Sequence, residues 1–267
     1  NDSNSNYAQL EIANSSIDNA NQMTGSQNRQ VAMAQENGND TSGNGYNPGE
    51  VTLTNTATGT INLTGEETTG IYAKRGIIRN EGTISVGKKS TAIYLVEDDR
   101  GPADGSKAAN DATGTIKLGE NSTGIFYKVN SAGTHTGTAG GVSNAGRIES
   151  TANNVTGISI DNPHSTARIF RNESSGVIDL QGQESTGIFA TGTGTYEASN
   201  EGKINLASST NINKPNIGMY TDKSSITLNN NGTITGGNKT VGIYGYNVNL
   251  GSTSVAKTGT GGTIVYS

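Results

Sequence analysis

Residues 110–126 read Asn110-Asp111-Ala112-Thr113-Gly114-Thr115-Ile116-Lys117-Leu118-Gly119-Glu120-Asn121-Ser122-Thr123-Gly124-Ile125-Phe126. Ile116 and Leu118 stand two apart, the spacing of a strand with one buried face. After a polar gap comes Thr123-Gly124-Ile125-Phe126. The same phrase recurs as Gly59-Thr60-Ile61-Asn62-Leu63 with Gly70-Ile71-Tyr72, and as Gly176-Val177-Ile178-Asp179-Leu180 with Gly187-Ile188-Phe189. Weaker copies begin at Gly82, Gly146, Gly202 and Gly232, and a truncated one at Gly262, so successive units are 23 to 32 residues apart. A constant core with loops of varying length explains the uneven spacing.

Each unit carries a third, less regular apolar run before the next Asn. It is clear at Val51-Thr52-Leu53, Gly76-Ile77-Ile78, Arg168-Ile169-Phe170 and Ile226-Thr227-Leu228, and faint near Val142 and Tyr196. Three short β-branched runs per unit, Gly-rich turns and no helical period describe one coil of a solenoid. One coil cannot bury its own apolar residues. Stacked coils can, and each fully buried Ile then contributes roughly 1.5–3 kcal/mol. The expected fold is all-β: a right-handed parallel β-helix of about eight three-stranded coils with loop excursions, following the handedness rule for parallel connections. In the T-G-I-Y-A run, Thr69, Ile71 and Ala73 are expected on one face, Gly70 and Tyr72 on the other. Asn recurs two to four residues before the first Gly, at Asn55, Asn80, Asn110, Asn144, Asn172, Asn200 and Asn230. It suits turns and can form a hydrogen-bonded ladder.

The repeat region spans 51–267. Residues 1–50 lack the unit and read as a polar capping or linker segment. Leu10, Ala13, Ile17 and Ala20 fall at helical spacing, Val31 to Ala34 form a small apolar cluster, and Thr41 to Gly49 reads as linker.

Composition agrees with a thin core. Of 267 residues, 30% are hydrophobic and 15% charged, with 38 Gly; ordinary domains run near ~45–50% and ~25%. A net charge of −5 argues against nucleic acid as a partner. The absence of Cys excludes disulfides and thiolate zinc sites. No apolar run reaches ~18 residues, so no segment is expected to span a membrane as a helix. The chain does not begin with Met and reads as a segment of something longer.

Two groups are candidates for binding. Tyr72, Tyr94, Phe126, Phe189, Tyr220 and Tyr244 share one repeat position and would form a column. Outward rings would stack on sugars or on protein side chains, or simply on each other as a stabilising ladder; an inward position is the other option. The loop candidates are Glu97, Asp98, Asp99 and Arg100 together with His135 and His164. The acidic cluster sits in one loop and reads first as solvated charge. The histidines have no metal-ligand spacing, and no metal or cofactor is expected. No nucleophile elbow or phosphate-binding loop occurs, and no catalytic residue is assigned. A polysaccharide-cleaving β-helix would need two carboxylates on neighbouring coils, whereas Glu149, Glu173 and Asp179 read as single, unrelated positions.

Asn80-Glu81-Gly82-Thr83-Ile84-Ser85-Val86-Gly87 with Ser90-Thr91-Ala92-Ile93-Tyr94, and Gly119-Glu120-Asn121-Ser122-Thr123-Gly124-Ile125-Phe126, resemble the repeat of bacterial autotransporter (type V secretion) passenger domains. The likeness is nearest to the fusobacterial outer-membrane adhesins and covers roughly 51–267. The resemblance implies a β-helical passenger at the bacterial cell surface, attached to the outer membrane. Its partner would be a host-cell or partner-bacterium receptor, glycan or protein. It also implies a signal peptide and a C-terminal β-barrel elsewhere in the parent. A cysteine-free chain suits export through a narrow barrel. Three readings follow: an adhesin segment that binds through loops or an exposed face, a stalk that holds a distal tip, and a polysaccharide-cleaving enzyme.

Overall fold

A computed structural model of the protein describes residues 8–11, 16–36, 52–97, 106–129, 140–161 and 169–267. These residues hold 28 strands and no helix. The strands form three all-parallel sheets of ten, nine and nine strands, in which each strand pairs with the strands three before and three after it. That order is a right-handed parallel β-helix with three strands per coil. Nine full coils stack, one more than the repeat count suggests, and Ala8–Glu11 adds a further strand beside Val31–Glu36.

Each coil runs through an Asn sheet (as in Lys107–Asn110), a G-x-I-x-L sheet (Thr115–Leu118) and a T-G-I-Y sheet (Thr123–Val129). Register is exact from copy to copy. Ile84 pairs with Ile116, Ile116 with Ile148, and Ile148 with Ile178. These isoleucines are fully buried and stack into one continuous core. The burial alternates along G-x-I-x-L as the spacing of two requires. Along T-G-I-Y-A the alternation breaks at Gly70. A Cβ there would lie 2.8 Å from Ile84 Cγ2 and 2.5 Å from Ala92 O. Gly70 therefore faces the core, not the outer surface shared with Tyr72, and only a residue without Cβ lets the corner close on the next coil.

The weakly marked third run is a strand in every coil, including Gly141–Asn144 and Tyr196–Asn200. Its core side chains vary in size, and the opposite sheet compensates. Tyr127 shares a coil with Ala108, and Phe170 with Ala190; all four are buried. Tyr127, Phe170 and Tyr196 meet edge to face inside the core, with ring centroids 5.2 and 5.5 Å apart.

The helical reading near Ile17 is overturned. Ile17–Asn19, Gln22–Gly25 and Val31–Glu36 are strands of a complete first coil, paired in register with Thr52–Asn55, Thr60–Leu63 and Thr69–Lys74. Helix propensity is low in so Asn-rich a segment, and pairing with the neighbouring coil decides its conformation.

The Asn ladder is continuous. Each Nδ2 donates to the next Oδ1 from Asn19 through Asn55, Asn80, Asn110, Asn144, Asn172 and Asn200 to Asn230, at 2.7–2.9 Å. Asn230 ends the run by donating to Ser254 Oγ at 2.6 Å, where Leu250 takes the ladder position. The opposite corner uses hydroxyls: Ser90 Oγ accepts from Thr68 N, and Ser122 Oγ from Ser90 N. Before these hydroxyls sits a left-handed residue that is not glycine, such as Glu67, Lys89 or Asn121, with φ of 57°, 54° and 58°.

Candidate functional site: the outer flank of the T-G-I-Y sheet

Parallel in-register pairing places one residue type of the repeat in one column. Tyr72 pairs with Tyr94, and Tyr94 with Phe126. Phe189 pairs with Tyr220, Tyr220 with Tyr244, and Tyr244 with Tyr266. The preceding residue of each run from Ile71 to Ile243 is buried, while the rings from Tyr72 to Tyr244 are half-buried and Tyr266, on the last coil, is exposed. The column therefore faces outward. Ring centroids are 5.6 and 5.0 Å apart in the first group, and 5.5, 5.2 and 4.9 Å apart in the second. Ser159 separates the groups, paired with Phe126 on one side and Phe189 on the other. Burial by neighbouring coils pushes the hydroxyls of Tyr94 and Tyr220 up from the usual tyrosine range; Asp161 acts in the same direction on Tyr94, as does Asp222 on Tyr220.

A second outward column lies two residues further along each strand. It runs Lys74, Val96, Lys128, Asp161, Thr191 in register. Asp222 and Tyr246 follow Tyr220 and Tyr244 by the same two residues, just past the strand ends. Lys128 Nζ and Asp161 Oδ2 form an ion pair at 3.6 Å. From Asp161 onward this corner opens into a cleft of about 620 Å³ lined by Thr191, Asp222, Lys223, Ser224, Ser225 and Tyr246 among others. Lys223 pairs with Asp222 at 3.1 Å. Ser225 Oγ donates to Gly194 O at 3.0 Å. Tyr196 props the corner from beneath, its hydroxyl hydrogen-bonded to Thr191 O at 2.9 Å and Ile160 O at 3.2 Å.

Of the loop candidates only Glu97 lies among the described residues. Asp98, Asp99, Arg100, His135 and His164 lie outside the described residues. Glu97 is not a solvated loop charge. It ends the strand Thr91–Glu97 in register with Val129 and is 1% exposed. Among the described residues no three His, Cys, Asp or Glu come together as a metal site, and no helix is long and apolar enough to cross a membrane.

One reading of the acidic residues needs correction. Glu149 and Asp179 are register partners on neighbouring coils of the G-x-I-x-L sheet. Both occupy the second variable position of their units, so aligning the repeats would have paired them. They line a cleft of about 400 Å³ with Lys117 and Gln181. Arg147 bridges them, Nε to Glu149 Oε2 at 2.5 Å and Nη2 to Asp179 Oδ2. These bonds, first the one to Glu149, raise the Arg147 pKa. A glycosidase needs one carboxyl to deliver a proton to the leaving group. Here a guanidinium already holds both groups, an arrangement that ties coils together rather than presenting an acid.

Comparison with protein-family models, with curated proteins and with solved structures gives no significant match.

Proposed function

We propose that this chain is a segment of a bacterial surface adhesin of the autotransporter class, displayed at the outer membrane. It attaches to a receptor on host cells or partner bacteria through the ring-bearing flank, without catalysis. The observation that carries the reading is the outward ribbon Phe189, Tyr220, Tyr244 and Tyr266, lying beside the polar cleft at Asp222 and Tyr246. Rings fixed by strand register lose little freedom on binding, which favours recognition. Aromatic side chains also contribute disproportionately to binding energy. The resemblance of the repeat to autotransporter passengers supports the same reading.

A stalk is the second reading, favoured by the unbroken Asn ladder from Asn19 to Asn230. Such a stack would serve to hold a distal tip away from the membrane. Binding of the purified chain to host cells and to partner bacteria, with a free-sugar competition arm, separates the two. Saturable binding that falls when Tyr220 and Tyr244 are replaced by Ser is expected of the adhesin. No binding by a folded sample would leave the stalk.

A further inference from the structure

We propose that the T-G-I-Y flank pairs with the same flank of a second copy of this chain, face to face, with the two solenoids antiparallel. The pairing stands on the charges and rings of the flank alone and does not depend on the adhesin reading. A receptor and a second copy would compete for the same rings.

Symmetry decides which residues meet. A twofold axis that lies between the two faces and runs along the strands reverses the order of the coils but keeps each column opposite itself. Only its position along the stack remains to be fixed. Counting complete coils from the one that ends in Val31–Glu36, Lys74 lies on the second, Lys128 on the fourth and Asp161 on the fifth. Asp222 lies just past the strand of the seventh. With the axis midway between the fourth and fifth coils, Lys128 faces the partner's Asp161, and Lys74 faces the partner's Asp222. The twofold doubles both pairings. Val96, itself buried, and Thr191 fall opposite each other and carry no charge.

Neighbouring registers are rejected by charge. Sliding the partner by one coil sets Lys128 against the partner's Lys128 in one direction. In the other it sets Asp161 against the partner's Asp161. Like charges brought together in this way fix the register. The ion pairs within the chain are compatible with the arrangement. Lys128 Nζ and Asp161 Oδ2 stand 3.6 Å apart, with side chains 38% and 28% exposed. Lys128 would sit between its own Asp161 and the partner's, closing a ring of four alternating charges around the axis. Asp222 keeps Lys223 at 3.1 Å, so the outer pairing contributes less than the central one.

The ring column fits the same axis. The partner's Phe126 falls opposite Ser159, the rung without a ring between Phe126 and Phe189. Tyr94 falls opposite the partner's Phe189, and Tyr72 opposite the partner's Tyr220. These rings are half-buried in a single chain, and pairing covers more of their apolar area. Six rungs about 4.8 Å apart and six residues rising ~3.3 Å each outline roughly 600 Å² per copy. The total of ~1,200 Å² is the lower end of specific interfaces, so a dissociation constant on the order of 10 μM is expected.

The test is sedimentation of the whole chain from about 1 to 200 μM, a range that brackets such a constant. A concentration-dependent dimer is expected. Lys128→Asp and Asp161→Lys each place four like charges around the axis and should weaken it by about tenfold or more. An equal mixture of the two variants should recover the dimer, because each chain then offers the charge the other lacks. That recovery also shows that both variants fold. Ser159→Tyr should weaken the dimer without lowering the urea midpoint, since its ring fills the rung from within the chain. A parent that stays monomeric throughout overturns the proposal. So does a mixture that fails to pair, or a dimer that both charge variants leave unchanged. The two readings fail separately. Attachment to cells by a chain that stays monomeric sinks the pairing and leaves the adhesin. A dimer that attaches to no cell upholds the pairing and sinks the adhesin.

Discussion

Asn110 Nδ2 donates to Asn144 Oδ1 at 2.7 Å, although 34 residues separate the two in sequence. Asn110 also accepts from Asn80 Nδ2 at 2.7 Å, and it is fully buried. Its removal leaves a donor and an acceptor unpaired on either side. Asn110→Ala is expected to lower stability by about 2–4 kcal/mol, since each orphaned buried group costs roughly 1–3 kcal/mol. Urea unfolding measures it. Asn110→Asp adds a pH test. A protonated Asp still donates to Asn144; an ionised one faces that oxygen with a buried charge. The folded-state pKa of the new carboxyl is thereby raised. The variant should be nearest to the parent below pH ~4, and lose ground as pH rises past the unfolded value of ~3.9. A flat difference between pH 3 and 7 would contradict this.

Tyr196 reports at the other end of the scale. Burial pushes its hydroxyl far above the usual tyrosine range. The unfolded chain ionises near pH ~10, whereas the folded chain holds the proton. The contribution is complete below ~10 and is lost as pH rises beyond it. Tyr196→Phe should cost about 0.5–1.5 kcal/mol at pH 7 through its lost hydrogen bonds. It should also make the fall in stability between pH 9.5 and 11 shallower, as read from urea midpoints across that range.

The outer column has one vacancy in its rings. Ser159 sits in register between Phe126 and Phe189, on rungs about 4.8 Å apart. Ser159→Tyr would give both neighbours a partner at the spacing their own groups already use. A gain of about 0.5–1.5 kcal/mol is expected. A lower urea midpoint in this variant would show that the rings do not support one another along the strand stack.

The first two units of the repeat phrase were open to reading because each has one residue type per position. Ile61, Ile84 and Ile116 announce a strand by spacing, and Ile71 beside Tyr72 separates core from surface. The third run was faint because coils trade volume across the core, Tyr127 against Ala108 and Phe170 against Ala190. The apolar core position ahead of the ladder Asn keeps no single size: Ala108, Val142, Phe170 and Ala198 occupy it in turn. The first coil was missed because Ile17–Asn19 has three residues with one polar residue facing out, too short a run for any period. The cleft at Tyr246 was overlooked for another reason. Its side chains follow the ring position by two residues, but they differ in kind from coil to coil: Asp161, Thr191, Asp222, Tyr246. Repeat matching finds what recurs, and a binding site on a repeat scaffold consists of what does not.

The corner before the hydroxyl ladder gives the final test. Lys89 holds φ of 54°, a left-handed conformation that costs an L-residue about 1–2 kcal/mol and glycine almost nothing. Its side chain makes only an exposed pair with Glu66 at 3.3 Å, a contact worth ~0–1 kcal/mol. The entropy that glycine loses on folding, roughly 0.5–1 kcal/mol, offsets part of the relief. Lys89→Gly should therefore leave stability level or raise it by up to about 1 kcal/mol. Gly157→Ala, on an inner face, should do the opposite. Its Cβ would stand 2.7 Å from Gly187 O and 2.8 Å from Ile178 Cγ2, and overpacking of this sort costs about 1–3 kcal/mol. Parallel urea titrations of the two variants compare an outer corner with an inner one. Equal losses would mean that glycine and non-glycine positions are interchangeable in the coil, which the backbone geometry denies.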